Sequence, residues 1–262
     1  MLDFLIRRLL QSVLVLVAMS VLVFIGIYAI GNPIDILLSP DADQMERARI
    51  IAAFGLDRPL WQQYFLFIQN ALAGDLGRSF AFGTPALDLI LERFPATMEL
   101  ATIGTLIGAV FGIPLGVLAA VKRGSFIDQI VRIIGLVGYS VPIFWLGLLA
   151  LLVFYAQLNW VAYPGRIDIV YEFTFTPITG FYLFDAALQG QWDVLWDLFR
   201  HIILPSGLLG YFSLAYISRM TRSFMLNELA QEYVVAARAK GLSEARIIWF
   251  HALRNAAVPL MT

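Results

Sequence analysis

Hydrophobic and polar positions divide this chain into long apolar runs separated by polar, turn-rich stretches. Leu9 to Ile30 is uncharged and exceeds the roughly 20 residues that a helix needs to cross a bilayer. Leu100 to Val121 is a second run, Ile133 to Leu158 a third, and His201 to Ser218 a shorter fourth, extended by Arg219 and Arg222. Asn255-Ala-Ala-Val-Pro-Leu-Met-Thr262 reads as the first turns of a fifth. The expected spans are 9–30, 99–121, 133–158 and 201–222, with the fifth beginning over 255–262. The segments outside them are 1–8, 31–98, 122–132, 159–200 and 223–254. The pattern predicts an all-α integral membrane protein, a polytopic helical bundle with four full spans plus the start of a fifth.

Within the spans, two residue types recur with a physical consequence. Gly104, Gly108, Gly112 and Gly116 place one glycine at every fourth position of the second span. A helix turns about 400° over four residues, so this bare groove winds by roughly 40° per step. It lets a neighbouring backbone approach closely, and tight packing is the expectation, with a sliding or pore-lining surface as the alternative. Pro114, Pro142 and Pro205 interrupt the second, third and fourth spans. Each frees a carbonyl that protein or water must satisfy, and each is a candidate bending point.

The polar segments carry local start and stop signals. Asn32-Pro33 and Ser39-Pro40 are turns, and Asp43-x-x-Glu46 resembles a capping box for a helix running to Phe54 and ended by Gly55. Leu60, Trp61, Tyr64, Phe65 and Ile68 form an apolar stripe at helical spacing, expected on the membrane face. Trp160 and Tyr163 anchor the far end of the third span, and Trp192 and Trp196 fall as on a helix lying at the interface. Glu99 stands at the outer end of the second span and reads as a solvated helix start, with a substrate ammonium as the alternative contact.

Composition narrows the class. Of 262 residues 60% are hydrophobic and only 14% charged, more apolar surface than one soluble core hides. A mean hydropathy of +0.78 agrees. The net charge of −1 and the absence of a basic run give no sign of nucleic acid. Charge does orient the spans. Arg7 and Arg8 precede the first, Lys122 and Arg123 follow the second, and Arg219, Arg222, Arg238, Lys240, Arg246 and Arg254 surround the stretch before the fifth. By the positive-inside rule these lie in the cytoplasm, together with the N-terminus, as a retained signal-anchor.

Several chemistries are missing from the chain. No Gly-x-x-x-x-Gly-Lys loop exists, so ATP hydrolysis is not expected here. There is no cysteine, no His-Glu-x-x-His, and the two histidines, His201 and His251, fall at opposite membrane faces, so no metal site or catalytic centre is expected. The first three runs hold no carboxylate of the kind that proton-coupled carriers use. Energy for any transport must come from outside the polypeptide.

The segment from Tyr233 to Arg254 is neither a span nor an ordinary loop. Val234, Ala237 and Gly241 recur at helical spacing, and Gly241 suits the left-handed position that ends a helix. Leu242-Ser243-Glu244 restarts one, with Ser243 as N-cap, Glu244 in the first turn and Leu242 stapled onto Ile247. The expectation is a helix, a sharp turn and a helix, a small-residue knuckle with Arg238, Lys240 and Arg246 around it. Arg238, Lys240 and Arg246 are candidates to pair with a partner's acidic residues, or simple positive-inside anchors.

This segment resembles the cytoplasmic coupling loop of ABC importer permeases, whose pattern is Glu-Ala-Ala, three residues, Gly, nine residues, then Ile-x-Leu-Pro. Ala236, Ala237, Gly241 and Leu253 match; Val235, His251 and Arg254 stand in place of the Glu, the Ile and the Pro. Ala-Arg-Ala-Lys-Gly-Leu242 and His-Ala-Leu-Arg-Asn255 are similar to the variant in dipeptide and oligopeptide permeases. Gly55-Leu-Asp-Arg-Pro-Leu-Trp-Gln-Gln-Tyr64, Gly74-Asp-Leu-Gly-Arg-Ser-Phe80 and Ser140-Val-Pro-Ile-Phe-Trp-Leu-Gly147 resemble the same group.

The resemblance implies a helical bundle of the ABC importer permease type in a bacterial or archaeal cytoplasmic membrane. It implies a transport subunit, not an enzyme, moving peptides delivered by an extracytoplasmic substrate-binding protein. A second permease subunit and two ABC ATPase subunits, which hold the ATP and Mg, would complete the assembly. Val235, Ala236, Ala237, Arg238, Lys240, Gly241, Leu242, Ser243 and Arg246 would couple to those ATPases. Six spans are usual in the group, two more than this sequence completes. Nickel, glutathione or opines are alternative cargoes. An ATP-independent channel or secondary carrier, or a structural membrane subunit, are the alternatives of other classes.

Overall fold

A computed structural model describes residues 2–30, 43–54, 57–79 and 82–260. Among the described residues every regular element is helical, and the sole extended pairing is an isolated bridge between Arg78 and Pro85. The chain forms two compact units, Met1–Arg93 and Phe94–Thr262.

In the first unit, α1 (Leu2–Ile30) is followed by α2 (Gln44–Phe54) and α3 (Leu60–Leu72). Helix α1 begins well before the uncharged run, because Arg7 and Arg8 are good helix formers and Asp3 complements its N-terminal dipole. The stripe on α3 splits. Tyr64 shares a hydrogen bond of 2.8 Å with Ser20 Oγ and meets Phe24 edge-on, ring centroids 5.5 Å apart, while Trp61 and Phe65 stay exposed. Part of the face expected on the membrane is therefore used against α1. The turns at Asn32-Pro33 and Ser39-Pro40, Gly55, and the side chain of Glu46 lie outside the described residues.

Helix α4 (Ala86–Val121) runs on into the second unit and holds both Pro95 and Pro114. It starts well upstream of position 99, since Leu87, Leu89, Ile90 and Leu91 sustain helix and Pro95 removes only the hydrogen bond to the Leu91 carbonyl. After a turn at 122–125 comes α5 (Phe126–Ser140), then α6 (Ile143–Ala150), which widens into π-helical turns over Leu151–Gln157. The third apolar run is not one straight helix: α5 and α6 are bent by 100°. The cause is Pro142, which drives the residue before it out of the helical region; Val141 sits at φ −98° and ψ 128°.

Two short helices, α7 (Ile169–Glu172) and α8 (Tyr182–Leu188), precede α9 (Trp192–Leu229). Trp192 and Trp196 occupy the first turns of α9, not a separate interfacial helix, and Pro205 does not break it. The early start follows from burial. Val194 and Leu198 pack with Phe175 and Ala186 in a buried cluster, so the amphipathic stretch and the apolar run share one helix. By length and composition three helices among the described residues can cross a membrane, within Asp3–Gly26, Ala86–Val121 and Trp192–Leu229; the bent pair makes four if it counts as one.

Helix α9 is the spine of the second unit. Gly104, Gly108, Gly112 and Gly116 of α4 are all buried. A methyl group on them would lie 2.8 Å from Leu209 Cβ, 2.4 Å from Ser213 Cβ, 3.2 Å from Ile217 Cβ and 2.6 Å from the Ser218 carbonyl oxygen. The bare groove thus brings the two backbones into contact along its whole length. Another face of α9 meets α5, where Gly138 lies against Ala215 and Tyr211 Oη donates to the Ile134 carbonyl at 2.9 Å.

Candidate functional site

The segment after α9 folds as α10 (Glu232–Ala239), a turn at Lys240–Ser243, and α11 (Glu244–Arg246). Gly241 takes φ +78°, the left-handed conformation in which a side chain is strained. Its amide donates to the Arg238 carbonyl at 2.9 Å and the Leu242 amide to the Ala237 carbonyl at 3.2 Å, closing the end of α10. Ser243 stands at the N-cap with extended backbone, but its side chain makes no capping hydrogen bond. The staple holds the turn instead. Val234, Ala237 and Ile247 are buried together, with Tyr233 and Leu242 packed against them. Burying such aliphatic side chains is worth about 1.5–3 kcal/mol each, more than a lost cap costs.

Beyond Arg246 the chain makes π-helical turns over Ile247–Ala252 before α12 (Leu253–Leu260). The extra residue per turn re-aims the helix. A regular helix would place His251 beneath Ile247; here Ala252 takes that place and His251 is exposed. Ala252 and Ala256 then join Val117 and Ala120 of α4 and Met225 of α9 in one buried cluster. The C-terminal end of the knuckle is thereby packed onto α4 and α9, and its N-terminal end continues from α9 through the chain.

Its outer surface is exposed: Val235, Ala236, Arg238, Lys240, Gly241, Ser243 and Arg246 are solvent-facing, Leu242 is half-buried and Ala237 is buried. Arg238 already has a partner within the chain, the Glu244 carboxylate, through Nε at 2.7 Å and Nη2 at 3.1 Å. This hydrogen-bonded pairing raises the Arg238 pKa and lowers that of Glu244. An open groove of about 1080 Å³ borders the knuckle, lined by Tyr233, Ser243, Arg246, Trp249, Phe250 and Arg254 among others. Among the described residues no cluster of His, Asp or Glu is placed to hold a metal ion.

The prolines fall as follows. Pro114 lies inside α4 and Pro205 inside α9, both without a break, whereas Pro142 sits at the 100° bend. Glu99 is not a solvated helix start. It is nearly buried within α4, accepts from Arg166 Nη2 and from the Leu183 amide at 2.9 Å each, and ties the segment after the third run to α4. Arg166 also lies over the Tyr182 ring, 3.5 Å from its centroid.

One group escaped the sequence reading. Asp128, 1% exposed in the first turn of α5, is gripped in fork fashion by Arg222 of α9, with Nε at 2.6 Å and Nη2 at 2.9 Å. Its carboxylate also accepts from the Gly124 amide at 2.9 Å, and its own amide donates to Ser125 Oγ. The available signal was Ser125-x-x-Asp128, a helix-start pattern ahead of an apolar run.

Buried clusters, an exposed left-handed turn at Gly241 and a bundle seamed by glycine describe a helical protein with helices long and apolar enough to cross a membrane. The chain belongs to the family of binding-protein-dependent transport system inner membrane components: that family's sequence model matches residues 112–262, and the model of the family's N-terminal part matches 1–101. It is 41% identical to the di/tripeptide transport system permease protein DppB of Pseudomonas aeruginosa (strain UCBPP-PA14), over all of this chain and 78% of that protein. The dipeptide transport system permease protein DppB of Escherichia coli (strain K12) is also 41% identical over the same shares. The oligopeptide transport system permease protein AppB of Bacillus subtilis (strain 168) is 33% identical over 99% of this chain and 76% of its own. The resemblance to dipeptide and oligopeptide importer permeases is borne out.

Proposed function

We propose that this chain is the transmembrane permease subunit of an ATP-driven importer that moves dipeptides or oligopeptides into the cytoplasm. The N-terminus lies inside, the spans run as 9–30, 99–121, 133–158 and 201–222, and a fifth begins near 255. A second permease subunit, two ATPase subunits carrying ATP and Mg, and an extracytoplasmic binding protein complete the machine. The peptide cargo comes from the relatives' names. All three are permease subunits of transport systems, which speaks against a self-sufficient channel or carrier.

The observation that carries the coupling role is the build of the knuckle. Its tip around Gly241 is exposed, its two arms pack on each other through Val234, Ala237 and Ile247, and its C-terminal end is buried against α4 and α9 through Ala252 and Ala256. A force applied at the tip is therefore transmitted to the bundle instead of bending a loose loop. Closure of the ATPases would bias the spans between inward- and outward-open states through Val235, Ala236, Ala237, Arg238, Lys240, Gly241, Leu242, Ser243 and Arg246.

The test is ATP-dependent peptide uptake by the whole complex in proteoliposomes. Nothing in the chain lies within 4 Å of a methyl group placed on Gly241, which is exposed, so an added side chain leaves the backbone into open space. Both Gly241→Ala and Gly241→Trp incur the positive-φ strain of about 1–2 kcal/mol. Only Gly241→Trp is expected to keep insertion intact while separating ATP hydrolysis from uptake. Uptake by Gly241→Trp at the parental rate would refute the coupling role.

A further inference from the structure

The knuckle reaches α9 through the chain itself and α4 through the small-residue cluster of Val117, Ala120, Met225, Ala252 and Ala256. Helix α5 is joined to α4 through the turn at 122–125 and takes no part in that cluster. Along most of its length it meets α9 through the glycine contact at Gly138, an edge-on Tyr139–Phe212 pair and the Tyr211 hydrogen bond. The Tyr211 hydrogen bond and the Arg219 guanidinium over the Tyr139 ring, 4.6 Å from its centroid, are the polar contacts along this stretch, and each holds α5 at a single point. At the knuckle end the joint is different in kind. Arg222 grips Asp128 through two parallel hydrogen bonds, and the Gly124 amide holds the same carboxylate from the other side. A guanidinium–carboxylate fork fixes distance and angle together, and burial of the Asp128 carboxylate keeps water from replacing Arg222 there.

We infer that Asp128 and Arg222 form a positioning brace, by which displacement of the knuckle is carried into α5 and so to the bend at Val141-Pro142. This rests on the transport reading above. Arg222 lies in the last two turns of α9, just before α10, and Asp128 in the first turn of α5, whose other end is the 100° bend. With the fork intact, α5 follows α9 axially and the bend receives the motion. Without it, α5 is left to a neutral hydrogen bond and ring and glycine packing on α9, and the stroke is weakened between the ATPases and the third apolar run.

The experiment uses the full complex with its ATPases and peptide-loaded binding protein, and reads peptide taken up per ATP hydrolysed. Three variants are compared, Asp128→Asn, Arg222→Gln and the double Asp128→Leu with Arg222→Met. The double restores apolar packing across the joint without restoring the fork. A brace predicts that assembled complexes of all three still hydrolyse ATP in response to loaded binding protein, while uptake per ATP falls at least tenfold. A pair that merely stabilises the fold predicts that the double transports at the parental ratio, and that result overturns the brace. A parental ratio in either single variant overturns it too, as does failure of all three to assemble. The parental complex is assayed alongside; if it takes up no peptide with ATP, the transport reading fails and not the brace.

Discussion

The glycine seam between α4 and α9 makes a quantitative demand. A methyl group at Gly108 would lie 2.4 Å from Ser213 Cβ and 3.0 Å from the Leu214 nitrogen and the Ser213 carbonyl carbon, where ordinary contact begins at 3.4 Å. None of these atoms can be moved by a rotamer change, so Gly108→Ala must part the helices by about 1 Å. A gap of that size forfeits a quarter to a half of each contact it opens, and Gly104, Gly112 and Gly116 sit on the same seam. Overpacking costs typically about 1–3 kcal/mol. With the whole seam involved we take about 3, offset by about 1 for replacing glycine with alanine in a helix. The net loss is about 2 kcal/mol. Gly207, also in α9, would have nothing within 4 Å of an added methyl group, so Gly207→Ala keeps only the gain. At about 2–4 °C per kcal/mol for a chain of this size, the two variants should differ by about 6–12 °C in apparent melting point. The assay is the monodisperse fraction of purified complex left after stepwise heating in detergent. Equal midpoints for Gly108→Ala and Gly207→Ala would refute the idea that close backbone approach is what the glycines provide.

Two further outcomes concern the folded segment between α6 and α9. Glu99→Gln keeps an acceptor for the Leu183 amide but removes the charge facing Arg166, which is itself partly exposed. The expected loss is about 1–2 kcal/mol, seen as earlier proteolytic cutting within 162–191 on titration with denaturant; an unchanged cutting midpoint would sink it. Asp185 is buried, which pushes its pKa up. Its hydrogen bonds from Thr179 Oγ1 and from the amides of Thr179, Ile178 and Gly180 outweigh that and leave it below the usual 3.8. A carboxylate depressed in the folded state contributes stability above 3.8 that is lost as pH falls below that value through the folded pKa. Amide protection at Ile178, Thr179 and Gly180 should therefore drop on acidification past 3.8 in the parent. In Asp185→Asn it should be lower by about tenfold at neutral pH, with no further acid-driven loss, and identical acid profiles would contradict the assignment.

Much of this protein was legible in residue order alone. Runs of apolar residues long enough to cross a bilayer mark helices whatever they pack against, because backbone groups in lipid have no partner but their own helix. The same holds for Gly241, whose need for a left-handed backbone is a local property, and for the small-residue pattern around Ala236 and Ala237 that ties the chain to its family. The glycines at 104, 108, 112 and 116 announced a close neighbour without saying which one.

Tertiary contact decided the rest. That α9 starts at Trp192 depends on Phe175 and Ala186 covering Val194 and Leu198, residues that other elements bring there. That Glu99 is paired and not solvated depends on Arg166 and Leu183 arriving beside it. That Ala252 is buried and His251 exposed across the π-helical turns depends on Val117, Ala120 and Met225 meeting Ala252 from elsewhere in the chain. Residue order settles what a segment must bury or how its own backbone must turn; which partner satisfies a buried charge, and which side of a helix faces inward, is settled only when separate segments meet.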